Sequence, residues 1–235
     1  MNNELNFRSA LKETLPTVLG YIGIAATVGI IGKTTGLSIM EVVLTSIIIY
    51  AGSAQLTAIN LIAAANPLYT IVLAVFLVNS RIILMSTTIA KYFHKESLLK
   101  NIIIGSLLTD ESFALGISKL NYTQGKLNFE WFNTVNLISY LTWIISTALG
   151  ALLGRFINNP QKLGLDFSIV AMFLGLLYLQ VISDKSLKRS LQYIIVFLTM
   201  CLTYGSLIIL PSNLVIITVT LIGCSLGVLL KHVIQ

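Results

Sequence analysis

The chain has 235 residues, of which 56% are hydrophobic and 10% charged, and its mean hydropathy is +0.89. A water-soluble domain carries about 25% charged residues, so this chain lacks the polar surface to face water and reads as an integral membrane protein. The net charge of +6 does not indicate a nucleic-acid partner, because the Lys and Arg residues sit in short gaps between apolar runs, as membrane-flanking cations do.

Apolar runs fall at 15–32, 37–65, 67–90, 101–118, 132–154, 166–183, 190–210 and 213–230. Most approach the roughly 20 residues a helix needs to cross the hydrocarbon core. They are apolar on all sides and do not alternate, which excludes barrel strands. The expected fold is all-α, a polytopic transmembrane helix bundle forming a single domain over 1–235.

The first run follows Arg8 and Lys12 and ends in Gly32-Lys33-Thr34 with no small-x-small cleavage site, so it is expected to be a retained helix. Gly29-Ile30-Ile31-Gly32-Lys33-Thr34 resembles the end of a P-loop. The glycine that loop needs five residues before the Gly-Lys pair is Thr27, and the stretch closes a helix instead of opening one. ATP binding is rejected here.

Two runs do not read as simple crossings. The second, 37–65, is too long, and its middle is Ala51-Gly52-Ser53-Ala54-Gln55. The fourth, 101–118, is short and carries Asp110-Glu111 near its centre. Small and polar stretches at membrane depth point to broken or re-entrant helices lining a cavity. The positive-inside rule separates the two possibilities. If both runs cross once, Arg8, Lys12, Lys119, Lys126, Lys185, Lys188, Arg189 and Lys231 lie inside, and Lys33, Lys91, Lys95, Lys100, Arg155 and Lys162 outside, 8 against 6. If both are hairpins, Lys91, Lys95 and Lys100 move inside, giving 11 against 3. The charge rule favours the second arrangement, six crossings plus two hairpins with both termini cytoplasmic.

The strongest polar signal is Asp110-Glu111. A carboxylate held charged at the bilayer centre costs roughly 2.5–3.5 kcal/mol even on the lenient insertion scale. The acids therefore call for water, a cation or a proton. Arg81, the basic residue deep within an apolar run, is a candidate ion-pair partner. Adjacent residues point about 100° apart on a helix, so one acid is expected to pair with Arg81 while the other faces the cavity and titrates. Ser53, Gln55, Asn60 and Asn79 are further polar groups inside apolar runs and act either as interhelical glue or as ligand contacts. His94, in Tyr92-Phe93-His94-Lys95-Glu96, belongs to an interfacial anchor and is expected to be solvated. Gly150-Ala151-Leu152-Leu153-Gly154 and Gly223-Cys224-Ser225-Leu226-Gly227 are GxxxG patterns, which let another helix approach, within the chain or from a partner subunit. Cys201 and Cys224 have no metal-ligand spacing and are expected to pack as small apolar residues. No metal and no cofactor is expected. An intramembrane aspartyl protease would need two Asp on different helices sharing a proton. Asp166 and Asp184 sit near run ends, which argues against it and against an enzyme.

The successive stretches Ala51-Gly52-Ser53-Ala54-Gln55, Asn66-Pro67, Leu77-Val78-Asn79-Ser80-Arg81 and Leu108-Thr109-Asp110-Glu111-Ser112-Phe113-Ala114-Leu115 resemble the ordered motifs of the AzlC family. Pro16, Gly20 and Gly23 in the first run, and Gly36-Leu37-Ser38 before the second, resemble it too. The resemblance implies the large subunit of a branched-chain amino-acid exporter, driven by the proton motive force and working with a small AzlD-type subunit in a bacterial cytoplasmic membrane. Carried over by position, the motif residues are Gly52, Ser53, Gln55, Asn79, Arg81, Asp110 and Glu111. Gly52, Ser53, Gln55 and Asn79 are expected to bind substrate, and Asp110 and Glu111 with Arg81 to couple protons. Many relatives place His after the motif arginine. This chain has Ile82, which shifts proton handling to the acid pair. A non-transporting membrane subunit or a channel is the alternative reading.

Overall fold

The computed structural model describes residues 1–157, 188–210 and 212–234, with isolated positions between 164 and 182. Asp166 and Asp184 lie outside the described residues, as does most of the run 166–183. Two compact units divide the chain, Met1–Leu176 and Leu177–Gln235. All regular structure among the described residues is helical. The first unit contains α1 (Phe7–Thr34), α2 (Ile39–Ile48), α3 (Gly52–Ala63), α4 (Leu68–Ala90), α5 (Leu98–Ser106), α6 (Asp110–Leu120) and α7 (Phe129–Leu153), the last closed by a 3-10 turn at Gly154–Phe156. The second contains α8 (Arg189–Ile209) and α9 (Ser212–Ile234).

Among the described residues, four helices are long and apolar enough to cross a membrane: α1, α4, α7 with its 3-10 turn, and α8. They turn large apolar side chains such as Leu19, Phe76, Leu149 and Phe197 outward, which is stable only in an apolar solvent. The protein is a polytopic helical membrane bundle.

Both irregular runs are broken in the middle and fold back on themselves. Ser38 opens α2 with a capping box, its hydroxyl accepting from the Glu41 N–H while Glu41 accepts from the Ser38 N–H. At the far end Gln55 on α3 donates to Thr45 and Ser46 on α2. A Cβ added to Gly32 of α1 would meet both Val42 of α2, at 2.8 Å, and Ile59 of α3, at 3.3 Å. Residues 42 with 59 and 46 with 55 define an antiparallel pair. The chain therefore enters beside the end of α1, turns at Ile49–Ala51 and returns to the side it left.

The second hairpin is α5 and α6, entered from the opposite end of the bundle. Lys100, in the first turn of α5, lies over the Phe129 ring at 4.9 Å. Lys119, in the last turn of α6, lies over the Trp131 ring at 5.2 Å. Both ends thus meet the start of α7, while the turn at Leu107–Thr109 reaches Tyr21, near the middle of α1. Residues 7–63 and 68–120 are consequently two copies of one arrangement, a long helix followed by a re-entrant hairpin, running in opposite directions.

Parallel helices α1 and α7 frame the unit. Tyr21 meets Trp143 edge-on at 4.9 Å. A Cβ on Gly154 would meet Lys33 Cβ at 2.9 Å. The Met1 end is fastened by Lys119, fully buried, whose ammonium donates to both Glu13 carboxylate oxygens (2.9 and 2.7 Å), the Asn2 carbonyl and side chain, and Ser9. A buried charge is tolerable only with such saturation. In the second unit α8 and α9 pack antiparallel. A Cβ on Gly223 would lie 3.1 Å from Thr199, and one on Gly227 would lie 3.7 Å from Ile195. Cys201 and Cys224 are exposed free thiols there. They were expected to pack as small apolar residues, and the close contact here is made at Gly223 and Thr199.

Lys95 and Lys126 sit in the connections at the Met1 end of the first unit. In a background lacking Cys201 and Cys224, a cysteine at either position is expected to react with an impermeant maleimide from the cytoplasm only. Labelling of position 95 from the other face would mean that α5 and α6 lie in a crossing segment.

Candidate functional site

The two hairpin tips meet near the middle of α1, α4 and α7. The first tip is built from a forced turn. Tyr50 adopts φ 40°, a left-handed conformation that costs a bulky residue roughly 1–2 kcal/mol. Its ring packs edge-on against Tyr140 at 4.8 Å, and the Tyr140 hydroxyl donates to the Ile47 carbonyl. Ala51 is extended and begins α3 without a side-chain cap. Gly52 follows because a Cβ there would stand 2.9 Å from the Trp143 ring. Gln55 holds the tip: its carbonyl accepts from the Trp143 indole at 2.9 Å while its amide donates to Ser46 at 2.7 Å and Thr45 at 3.0 Å.

The second tip is capped more fully. The Thr109 hydroxyl accepts from the Ser112 N–H, and Ser112 accepts from the Thr109 N–H. This capping box sets Asp110 and Glu111 in the first turn of α6. There the helix dipole favours negative charge. Asp110 forms an ion pair with Arg81 at 2.9 Å. The Arg81 guanidinium also donates to the Ser53 hydroxyl at 3.2 Å. Glu111 accepts from the Tyr21 hydroxyl at 2.6 Å, and Tyr21 in turn contacts the Thr109 hydroxyl at 2.9 Å. Each long helix of one repeat thus grips the other repeat's tip: Tyr21 of the first holds the second, and Arg81 of the second reaches Ser53 of the first.

These groups surround a cavity of about 20 Å³, space for about one water molecule. Tyr21, Tyr50 and Trp143 form its aromatic wall, Gly52 and the Ala51 backbone one edge, and Arg81, Asp110 and Glu111 its charged face. The arrangement places a cation, two acids and an uncapped helix start around one point with an apolar wall beside them.

The sequence candidates divide on this geometry. Gly52, Arg81, Asp110 and Glu111 line the cavity, and Ser53 reaches it through Arg81. Gln55 does not line it. Its amide is fully buried and committed to the hairpin and α7, so its part is to position the tip. Asn79, two residues before Arg81 on α4, also stands outside the lining, with its side-chain carbonyl buried. Asn60 is exposed on α3. The acid pair divides as its 100° separation requires, with Asp110 on Arg81 and Glu111 on Tyr21. Gly150 and Gly154 face α1, and Gly223 and Gly227 face α8, so all four serve helix packing within the chain. His94 is exposed. Tyr21, Tyr50 and Trp143 went unmarked in the sequence, where an aromatic in an apolar run looks like any other packing residue, and Thr109 stood there only as part of a longer motif. Among the described residues no cluster of three His, Cys, Asp or Glu side chains forms a metal site.

A family model described as AzlC protein matches residues 16–157, which span every element of this site. An uncharacterized membrane protein of Archaeoglobus fulgidus is 36% identical over 173 residues, covering 73% of this chain and 74% of its own. The branched-chain amino acid transport protein AzlC of Bacillus subtilis is 27% identical over 219 residues, covering 91% and 83%. The inner membrane protein YgaZ of Escherichia coli is 27% identical over 175 residues, covering 73% and 71%. No solved structure matches the chain.

Proposed function

The chain belongs to the AzlC family, and from that premise we propose that it is the large subunit of a proton-driven exporter of branched-chain amino acids, working with a small AzlD-type membrane subunit. Its place is the bacterial cytoplasmic membrane, with both termini in the cytoplasm. The observation that carries this reading is the meeting of two oppositely directed hairpin tips around one charged, aromatic-walled cavity. Two inverted repeats meeting at a midplane site are the architecture of alternating access, in which one repeat moves against the other around a fixed site. The name of the Bacillus subtilis relative supplies the substrate class.

In this reading Gly52 and Ser53 contact the substrate. Gln55 belongs to the same site but acts by positioning the first tip, and Asn79 stands outside the cavity lining. Asp110 and Arg81 form an ion pair within the second repeat, Arg81 and Ser53 join the two tips, and Glu111 carries the proton. One charge moving across 100 mV releases about 2.3 kcal/mol. At about 1.4 kcal/mol per tenfold, one proton supports a gradient of roughly fortyfold.

The test is counterflow in proteoliposomes with labelled Leu, Ile, Val and Met, with and without the small subunit. An apolar pocket separates side chains differing by one methylene by only about 1–3 kcal/mol. All four are therefore expected to exchange, with preferences within about two hundredfold. Failure of every one to exchange, in the presence of the small subunit, would remove the exporter reading. Rejection of three by a thousandfold relative to the fourth would contradict an unspecific apolar wall.

A further inference from the structure

We propose that a buried polar seam between α1, α6 and α7, marked by Asn136 and Ser139, carries the proton from Glu111 to the Met1 end of the bundle. The proposal rests on the exporter reading, in which Glu111 holds the proton, and gives that proton its way out.

The seam starts from α7. Phe132, Asn136, Ser139 and Trp143 recur at helical spacing and share one face of that helix, and all four are buried. The two ends of the face are placed by their neighbours. A Cβ on Gly116 of α6 would stand 2.6 Å from the Phe132 ring, and Trp143 meets Tyr21 of α1. Asn136 and Ser139 lie between these ends and are fully buried. Neither the amide nitrogen nor the oxygen of Asn136, nor the Ser139 hydroxyl, has a hydrogen-bond partner in the surrounding protein. An asparagine side chain offers two donors and an oxygen with two lone pairs. Leaving these unspent in the interior costs more than an apolar residue of the same size would. Buried water is what answers such groups in folded proteins.

The helix register supplies the rest of the lining. Gly116 against Phe132 and Lys119 over the Trp131 ring fix α6 antiparallel to α7, which sets Ser112 level with Asn136 and Thr109 level with Ser139. Tyr21 against Trp143 and Gly29 against Ala151 fix α1 parallel to α7, which sets Thr14 level with Asn136. Thr14, Thr109 and Ser112 are all buried hydroxyls. Toward the tips, the Tyr21 hydroxyl joins Thr109 to Glu111. Toward the Met1 end, the Lys119 ammonium binds Glu13, Ser9 and the exposed Asn2. The titratable and charged groups along this line are Tyr21 and Glu13 of α1 and Asp110, Glu111 and Lys119 of α6, with Arg81 of α4 and Tyr50 of the first tip across the cavity. α7 brings the neutral Asn136 and Ser139. Hydroxyls and water both donate and accept, so they relay a proton without holding a charge. The Glu111 carboxyl gives up its proton and becomes a carboxylate, each group in the line takes one proton and passes one on, and one proton emerges into water beside Glu13.

The experiment compares export of Leu driven by a pH gradient with counterflow of Leu at equal pH, in proteoliposomes that also hold the small subunit. The variants are Ser139→Thr, Ser139→Val and Asn136→Leu. Thr and Val share one shape, so the difference between them reads the hydroxyl alone. Ser139→Val and Asn136→Leu are expected to slow driven export by about a hundredfold, the lower end of what a positioned proton-transfer group contributes. Counterflow is expected to be unchanged, because exchange moves no net proton. Ser139→Thr is expected to keep driven export. Asn136→Leu is expected to melt at or above the wild-type temperature, since it removes unpartnered buried groups. Driven export slowed by less than about tenfold in either apolar variant, or lost equally in Ser139→Thr and Ser139→Val, overturns the seam and leaves the exporter reading standing. Lower melting of Asn136→Leu with loss of counterflow also overturns it, by giving Asn136 a packing role. If the wild-type protein exchanges Leu but ignores the pH gradient, proton coupling falls and this inference with it. If it does not exchange Leu at all, the exporter reading falls as well.

Discussion

Glu111→Gln is expected to abolish export driven by a pH gradient while leaving exchange of Leu at equal pH in place. The two acids at the second tip are adjacent in sequence and have different partners. Asp110 is held by a guanidinium at 2.9 Å. Glu111 meets the neutral hydroxyl of Tyr21 at 2.6 Å. A carboxylate paired with a guanidinium must give up that pair to take a proton. One answering a phenol can exchange a proton without breaking an ion pair, since the phenol oxygen can accept as readily as it donates. Gln at 111 keeps the size and an acceptor for Tyr21 but carries no titratable proton. Driven accumulation should therefore fall by up to the roughly fortyfold that one proton at 100 mV supports. Asp110→Asn is expected to reduce exchange and driven export together, because it removes the ion pair that ties α4 to the second tip. The measurement is a pair of assays on each variant, export against a pH gradient and counterflow without one. Normal pH-driven export by Glu111→Gln would remove the proton from this residue.

Much of this site could be seen in the sequence because membranes make polar residues conspicuous. Ala51-Gly52-Ser53 and Asp110-Glu111 interrupt apolar runs, and the structure breaks its helices at Ile49–Ala51 and Leu107–Thr109. The charge rule preferred hairpins over crossings, and the antiparallel pairing of 42 with 59 and of 46 with 55 shows the same turn-back from contacts alone. The helix ends were less visible. α1 begins at Phe7 although the apolar run begins at Leu15, because Asn6 caps it and the amphipathic turns between them pack at the Met1 end. The aromatic wall could not be seen, since nothing local distinguishes Tyr21 or Trp143 from other apolar-run aromatics. Gln55 stood out as a polar group inside an apolar run and was expected to bind substrate, whereas its buried amide is satisfied by helix contacts away from the cavity. Its partners turned out to be Trp143 and Ser46, 88 and 9 residues away. The inverted repeat was hidden because the two copies share a layout and not a motif: Gly52 opens α3 where Asp110 opens α6.

Gly150→Ala is expected to be among the most destabilising single-methyl changes in the first unit. α1 and α7 touch backbone to backbone at this level. A Cβ on Gly150 would overlap the Ala26 carbonyl oxygen and stand 2.6 Å from Ala26 Cα. A Cβ on Gly29 would likewise overlap the Thr147 carbonyl and stand 2.6 Å from the Ala151 nitrogen. Side chains can rotate away from an added methyl, but helix backbone cannot, so the helices must separate along the line that carries Tyr21 and Trp143. Overpacking a core usually costs about 1–3 kcal/mol, and a clash with backbone belongs at or above the upper end. Gly20→Ala is the control, because a Cβ there meets nothing within 4 Å. On an exposed helix face that change should be neutral or stabilising, by up to about 1 kcal/mol. The two variants should therefore shift the melting temperature of the purified protein in opposite directions, or leave Gly20→Ala unchanged while Gly150→Ala falls. Weaker association of a small subunit with Gly150→Ala would then follow from the lost α1–α7 contact. A Gly150→Ala protein that melts like the wild type, yet no longer retains the small subunit, would instead place a partner helix against this glycine and contradict the α1 contact seen here.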